Sequence, residues 1–494
     1  MFKTKRALRG AAFAVVAVTA LAAVFTQPAS ASSAAGCDEV PTGVRVSDHW
    51  LHFKVPPGLM PDPQFDDRPA KLEVHRVRPV YAHGKCSSVS NRAAVLIHGR
   101  SSYGPAVFDL RQPAPEGGEL SVQKALARAG IDTFAPNLLG YGRSTRFDHG
   151  LDDPSNASLR AYTDGTCEYP EGCDRTHVPL VFPLDQQGPS AQGPTLFTNP
   201  LGGQRRAHSS NFRFARVDTF VRDIRQVIDD AIARAQPSDG KVTLLGYSSG
   251  GQAVGRTLYK DNPNPLLPNT DQYIAKVNRV VFLSSLFFAT GPTEEPPPAG
   301  FATFPLHVFN AASVATNWQM TPPGREAACT GHVVPGSREQ VWTQVLEGET
   351  LGLEWGGNDP AHPTGLARSP VFSSYGWNRE VAGKLTTPAL VIHGDEDQAA
   401  PATNADTIYS ELQMTNKVKV KVACASHALL SEGCSGQRCT PASGTPYGGK
   451  TGTPWAGPHS TLKAALIEWI SSGTFDGAPS GEFTVNESGV ATGP

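Results

Sequence analysis

The chain has 494 residues, 39% of them hydrophobic, and carries 45 acidic against 43 Lys and Arg side chains for a formal net charge of −2. That balance, with no basic block, excludes the electrostatic footprint of a nucleic-acid binder. The length exceeds what one hydrophobic core usually supports, so a core carrying large insertions is expected.

The N-terminus reads as an export signal. Lys3, Lys5, Arg6 and Arg9 form a basic region, Ala11 to Phe25 an apolar one, and Ala29-Ser30-Ala31 an A-x-A cleavage site. Residues 1–31 are therefore expected to be removed, leaving a mature chain that starts near Ser32. The apolar run is shorter than the ~20 residues a bilayer span needs, which argues against a transmembrane anchor. A lipoprotein reading at Ala35-Gly36-Cys37 is weaker still, because that cysteine lies too far past the apolar run. Removing the leader takes the net charge from −2 to −6. No later segment is long and apolar enough to span a membrane, so the expected product is released, with no stable membrane anchor. No oligomeric state is implied.

Residues 43–55 and 71–82 alternate apolar and polar positions and read as an antiparallel pair. Ala93 to Ile97 is a continuous apolar strand of the kind buried on both faces of a parallel sheet. Ser121 to Ala129 has a helical pattern with a serine cap, and Ile131 to Ala135 is the next strand. Val217 to Ala235 is a long amphipathic helix leading into the strand Lys241 to Leu245. Strands follow at Val277 to Leu283, Pro388 to Ile392 and, last, Lys417 to Cys424. A helix from Ser460 to Ile470 closes the domain, and the Gly-, Ser- and Thr-rich stretch 474–494 reads as a flexible tail. The alternation of strand and helix predicts a mainly parallel α/β sheet flanked by helices.

Two stretches interrupt it. Residues 144–213 form a loop-rich insertion, and residues 287–380 form a second, lid or cap insertion holding Trp318, Trp342, Trp355 and Trp377. Loops this long in a compact domain are usually functional. The tryptophans fit an apolar substrate wall or the insertion's own small core. The core is left as 32–143, 214–286 and 381–473. All eight cysteines lie after the leader, an even number that reads as up to four disulfides in an exported protein. Cys167/Cys173 and Cys434/Cys439 suit small loops, and Cys37/Cys86 would leave Cys329/Cys424. No Cys or His spacing suggests a zinc site.

The chemistry centres on Gly246-Tyr247-Ser248-Ser249-Gly250, which lies between an apolar strand and a helix-permissive segment. A G-x-S-x-G in that setting is a nucleophile elbow, with glycines allowing a turn no β-carbon tolerates. A serine hydroxyl needs a base, and the base needs an acid to hold its tautomer. In this topology the order is Ser, Asp or Glu, then His. Asp395 and Asp397 both follow the strand ending at Ile392; Asp397 is preferred as the acid, and Asp395 reads as a turn residue. His427 follows the last strand and is the preferred base, with His459 as rival. Two N–H donors for an oxyanion are expected from Ser249 and Arg100, with Gly99 allowing the turn. His98 is expected to buttress that loop, and Tyr103 to line the substrate's acyl pocket.

Together the His98-Gly99 loop, Asn137 to Ser144, the Ser248 elbow, Gly394 to Asp397 and Ser426-His427 carry a likeness. The chain resembles the α/β-hydrolase superfamily, and within it a secreted bacterial serine hydrolase of esterase or lipase type. The stretch Pro136 to Ser144 is similar to the family's D-x-x-G-x-G-x-S segment, with Asn137 in place of the usual aspartate. The likeness covers roughly residues 93–145, 215–285 and 385–470, and the insertions lie outside it.

The resemblance implies a secreted carboxylic-ester hydrolase acting through an acyl-enzyme on a small-molecule or lipid-like ester, with no cofactor and no metal. A peptidase or amidase on the same triad is the alternative, and would need a site for a charged terminus such as Glu347, Glu349 or Glu354. A binding module on a dead copy of the fold is disfavoured by the intact Ser, Asp, His order.

Overall fold

The computed structural model describes residues 40–60, 65–82, 92–100, 102–146, 180–182, 195–197, 216–294, 306–309, 311, 329, 332–349, 367–370, 375–435, 439–441, 443–449 and 454–494. All belong to one unit, Gly36–Pro494. The expected leader lies outside the described residues, as do Cys37, Cys86, Cys167, Cys173, Trp318, Trp355 and Glu354.

The chain opens with a long antiparallel pair, β1 (Gly43–Lys54) and β2 (Pro69–Val80), in register from Gly43↔Val80 to Lys54↔Pro69. Then follow β3 (Arg92–Ile97), α1 (Gly104–Phe108), α2 (Val122–Arg128) and β4 (Ile131–Asn137). Ser121 caps α2 as its sequence suggests, accepting the Lys124 amide at 2.9 Å. Short strands β5 (Leu180–Phe182) and β6 (Thr195–Phe197) pair with each other inside the first insertion.

The core resumes with α3 (Val217–Ala235), β7 (Val242–Tyr247), α4 (Ser249–Thr257), α5 (Thr270–Ala275) and β8 (Val277–Leu283). The second insertion holds the pair β9 (Leu306–Phe309) and β10 (Ala367–Pro370), and helix α6 (Ser337–Gly348). After it come α7 (Arg379–Gly383), β11 (Ala389–Gly394), α8 (Ala402–Glu411), β12 (Lys417–Val422), α9 (Pro458–Ser472), β13 (Gly481–Val485) and β14 (Ala491–Thr492).

Ten strands form one sheet in the order β1-β2-β4-β3-β7-β8-β11-β12-β13-β14. From β4 to β13 every pairing is parallel. The reason is legible in composition: β7 and β11 are buried along their whole length, as strands covered by helices on both faces must be. In β12, Val418, Val420 and Val422 are buried while the intervening lysines lie further out, and Lys419 pairs with Asp406 and Glu482.

The expectation of a flexible tail over 474–494 is corrected. β13 adds in parallel to β12, from Val418↔Gly481 to Val422↔Val485, and β14 folds back on it. Phe475, Phe483 and Val485 are buried, with Phe475 stacked on Tyr447 at 4.3 Å. Three apolar side chains at spaced positions outweigh the loop-forming glycines around them. Neither β12 nor α9 therefore ends the domain.

The two tryptophans described in the second insertion are core. Trp342 is buried on α6, and Trp377 stacks on Phe282 at 4.7 Å and meets Phe287 at 5.3 Å. Cys434–Cys439 and Cys329–Cys424 are bonded, the latter joining the second insertion to the residue that follows β12 by two. No helix among the described residues is long and apolar enough to cross a membrane.

Deleting residues 474–494 is expected to lower stability by at least about 5 kcal/mol, from the burial of three apolar side chains. Phe483→Ala alone should cost about 3 kcal/mol. Denaturant midpoints measure both, and an unchanged midpoint in either variant would mean that the tail does not dock.

Candidate active site

The sheet order brings the carboxyl ends of β3, β7, β11 and β12 to one edge of the core. Ser248 follows β7 directly, at φ 55° and ψ −123°, a conformation that costs a non-glycine residue of the order of 1–3 kcal/mol. Its backbone is held on both sides: its amide donates to Leu283 O at 3.0 Å, and its carbonyl accepts from Leu286 N at 3.2 Å. The glycines of the elbow are needed for contact. A β-carbon on Gly246 would lie 2.6 Å from Gly251 Cα, and one on Gly250 would lie 2.5 Å from Ile97 O. Helix α4 begins at Ser249, so its first amides face the serine's end.

Asp397 lies three residues beyond β11 and its carboxylate is buried. The imidazole of His427, from the loop after β12, meets it through Nδ1 at 2.9 and 3.0 Å. Asp397 also accepts the Ala400 amide at 2.8 Å, which fixes its rotamer. With Nδ1 engaged, Nε2 is the ring nitrogen left for a nucleophile. The Tyr247 ring stands 5.0 Å from the imidazole, and its hydroxyl donates to His427 O at 3.0 Å. No hydrogen bond between Ser248 and His427 is formed in this structure; such contacts are often loose before substrate binds. Asp395 donates its amide to Val422 O at 3.0 Å. His459 is fully buried and faces elsewhere, its ring bonded to Glu432 O at 2.6 Å and to Glu116 at 2.8 Å.

On the other side of Ser248 runs the loop after β3. Gly99 is pressed against the serine: a β-carbon there would lie 2.7 Å from Ser248 Cβ and 3.3 Å from its Oγ. The Gly99 carbonyl accepts from His98 Nδ1 at 2.7 Å and from Ser102 Oγ at 3.1 Å. His98 Nε2 in turn accepts the Leu138 amide at 3.2 Å, so the ring proton sits on Nδ1. Burial lowers the His98 pKa to about 4, against the opposing Gly99 bond, so the ring is neutral at neutral pH. In a trans peptide the N–H points opposite to the C=O. Pinning Gly99 O from two sides therefore fixes the direction of the Arg100 N–H. No group of three or more His, Cys, Asp or Glu among the described residues is placed to hold a metal.

A family model for the alpha/beta hydrolase fold matches residues 95–433. The chain belongs to the α/β-hydrolase fold family. No curated protein sequence matches it. Among solved structures, a serine hydrolase of the polyaromatic-hydrocarbon-degrading bacterium Cycloclasticus zankles is 11% identical, with 79% of this chain and 93% of that one covered at TM-score 0.38. The monoacylglycerol lipase of Paleococcus ferrophilus is 14% identical, with 78% and 96% covered at TM-score 0.37. A thermophilic esterase of Thermogutta terrifontis is 11% identical, with 78% and 93% covered at TM-score 0.35. Likenesses this distant carry no argument about what the chain acts on.

Within this family fold, Asn137 departs from the usual aspartate for a visible reason. Its Oδ1 accepts the Gly104 amide at 2.9 Å, and its Nδ2 donates to Glu73 at 2.7 Å. An aspartate there would face the Glu73 carboxylate with no donor between them. Asn137→Asp should therefore cost about 1–3 kcal/mol, read as a lower Tm at neutral pH. An unchanged Tm would remove this explanation of the asparagine.

Beside that turn lies a polar cavity of about 400 Å³, walled by His75, Arg143, Tyr103 and Gly348 among others. Tyr103, expected on the acyl pocket, is buried against this cavity. Its hydroxyl is 3.5 Å from Glu349, and Arg146 binds the same carboxylate at 2.5 Å. Arg111 holds Glu347. Both of these insertion carboxylates are thus already paired.

His75 is held by carboxylates on both ring nitrogens, Asp48 at 2.6 Å and Asp109 at 2.9 Å. Burial alone would lower its pKa; the bonds to Asp109 and Asp48 overcome this and raise it to about 9. The His75 bond keeps Asp48 below the usual carboxylate range. A raised histidine stabilises the fold fully below its ordinary value of 6.5, and the contribution is lost as pH climbs through about 9. The linked stability is at most about 3 kcal/mol. The wild-type Tm should accordingly fall more steeply between pH 7 and 10 than that of His75→Gln, and parallel curves would contradict the assignment.

Proposed function

We propose that the protein is a secreted serine hydrolase that cleaves carboxylic esters through Ser248, His427 and Asp397. The observation that carries this reading is the Asp397–His427 pair, buried and bonded through Nδ1, on the same sheet edge as a strained serine. Ser248 Oγ attacks the acyl carbon while His427 Nε2 takes its proton. Asp397 holds the imidazole tautomer and stabilises the imidazolium. The amides of Ser249 and Arg100 receive the oxyanion, and His427 returns the proton to the leaving alcohol. A water, deprotonated by His427, then releases the acid from the acyl-enzyme.

Export is supported by the basic, apolar and A-x-A succession over residues 1–31 and by two disulfides among the described residues. Esters are favoured over peptides in that two of the three carboxylates offered for an amino terminus, Glu347 and Glu349, are engaged by Arg111 and Arg146, while Glu354 lies outside the described residues. That leaves neither Glu347 nor Glu349 free to hold a peptide amino terminus.

Hydrolysis of p-nitrophenyl esters of increasing acyl length is the test. Ser248→Ala should lower kcat by at least about 10⁴-fold, and Asp397→Asn by about 10⁴-fold. Turnover unchanged by Ser248→Ala would overturn the nucleophile. Activity on amides but on no ester would overturn the ester assignment and leave the triad.

A further inference from the structure

We propose that Glu432 is a positioning residue for His427, clamping the backbone on both sides of the imidazole through Ser426. This rests on His427 being the base. Glu432 follows the 3-10 turn Leu429–Ser431, and its side chain folds back into the turn it closes. Oε2 accepts the Ser426 amide at 2.8 Å, and Oε1 bonds the Ser426 hydroxyl. That hydroxyl accepts the Ala428 amide at 3.2 Å. One carboxyl group therefore holds the amide before His427 directly and the amide after it through one oxygen. The His427 carbonyl is held separately by Tyr247.

Glu432 is itself anchored. Its carbonyl accepts both the amide and the ring Nδ1 of His459, at 3.0 and 2.6 Å, and its backbone bridges to Val333. His459 Nε2 is bonded to Glu116. A rigid path thus runs from Glu116 through His459 and Glu432 to the catalytic loop.

A buried carboxyl is costly unless its atoms are fully bonded, and a simple loop cap does not need one. The groups around Glu432 are Asp395 and Asp397 beyond β11, His427 on its own loop, Tyr247 on β7, His459 and Glu116 beyond it, and His332. Burial, with Asp397 and Asp395 adding to it, raises the carboxyl pKa to about 8 against the opposing Ser426 bonds. His332 is pushed down to about 4 by burial and is neutral. The Ser426 hydroxyl donates to Oε1 and the Ser426 amide to Oε2, so both oxygens of the buried carboxyl are bonded beside Asp397.

The test compares Glu432→Ala, Glu432→Gln and Ser426→Ala with wild type on the ester series, below each variant's Tm. Glu432→Ala should lower kcat about 100-fold with KM within about twofold, the loss expected of a misplaced base. Glu432→Gln can hold the same two Ser426 groups, its oxygen accepting the amide and its NH2 donating to the hydroxyl oxygen, and should restore most of kcat. The double variant Glu432→Ala with Ser426→Ala should be no worse than Glu432→Ala alone. A lower Tm with wild-type kcat in Glu432→Ala would reduce the residue to a structural filler and overturn the proposal. So would a Gln variant as impaired as the Ala one. If Glu432→Ala does not fold, Ser426→Ala decides: a loss of kcat with KM unchanged keeps the clamp, and wild-type kcat overturns it.

The low-field Nδ1 proton resonance of His427, absent in His427→Ala, reads the pair without substrate. It should broaden or shift in Glu432→Ala and remain in Glu432→Gln. Should Ser248→Ala leave turnover intact, the ester reading fails, while this resonance still judges the clamp.

Discussion

Ser248 is held at φ 55° and ψ −123° between β7 and α4 by backbone bonds on both sides. The turn needs Gly246 and Gly250 to pass within contact of Gly251 and of the Ile97 carbonyl, so β3, β7 and α4 must pack at one distance. A cost of about 1–3 kcal/mol at one residue persists only when its surroundings over-determine it. Here they do: Leu283 O, at the end of β8, and Leu286 N, three residues beyond it, hold the Ser248 peptide groups. The parallel sheet is thus the frame that keeps one hydroxyl raised, and its order decides which loops can reach that hydroxyl.

Those loops are held in unequal ways. The Gly99 loop is pinned by a neutral histidine and a serine, short local bonds that fix a peptide direction. The His427 loop is held from several distant elements at once. The disulfide Cys329–Cys424 reaches it from the second insertion, His459 from α9 and Tyr247 from β7. A group that must accept and return a proton gains from such redundancy, since a small displacement weakens both transfers.

The sequence made most of this frame readable, for a physical reason. Buried parallel strands are continuous apolar runs, and α3 has the same limits, Val217 and Ala235, in pattern and in structure. That Ser248, Asp397 and His427 each stand past the end of a strand was legible in the sequence pattern. The tail was not legible: glycines and serines dominate it, and β13 is recognisable only beside the β12 edge it covers. Tyr103 was read as an acyl-pocket residue, and only the structure shows it against Glu349 and Arg146, far away in sequence. His459 looked like a rival base because it also precedes a helix near the end of the core. Its bonds to Glu432 and Glu116 lie 27 and 343 residues away in sequence, beyond any local pattern.

The roots of the two insertions share one buried ion pair. Arg146, at the start of the first, binds Glu349, at the end of α6 in the second, and also the carbonyls of Gly142 and Gly348. A pair this buried gains little net stability over apolar residues of the same shape, but losing one partner strands a charge. The consequence is geometric. The first insertion cannot leave Tyr103 without breaking its hold on the second, so the two meet the core as one joint. That joint rests on Tyr103, four residues after Gly99, so both insertions are fastened to the loop that presses against Ser248.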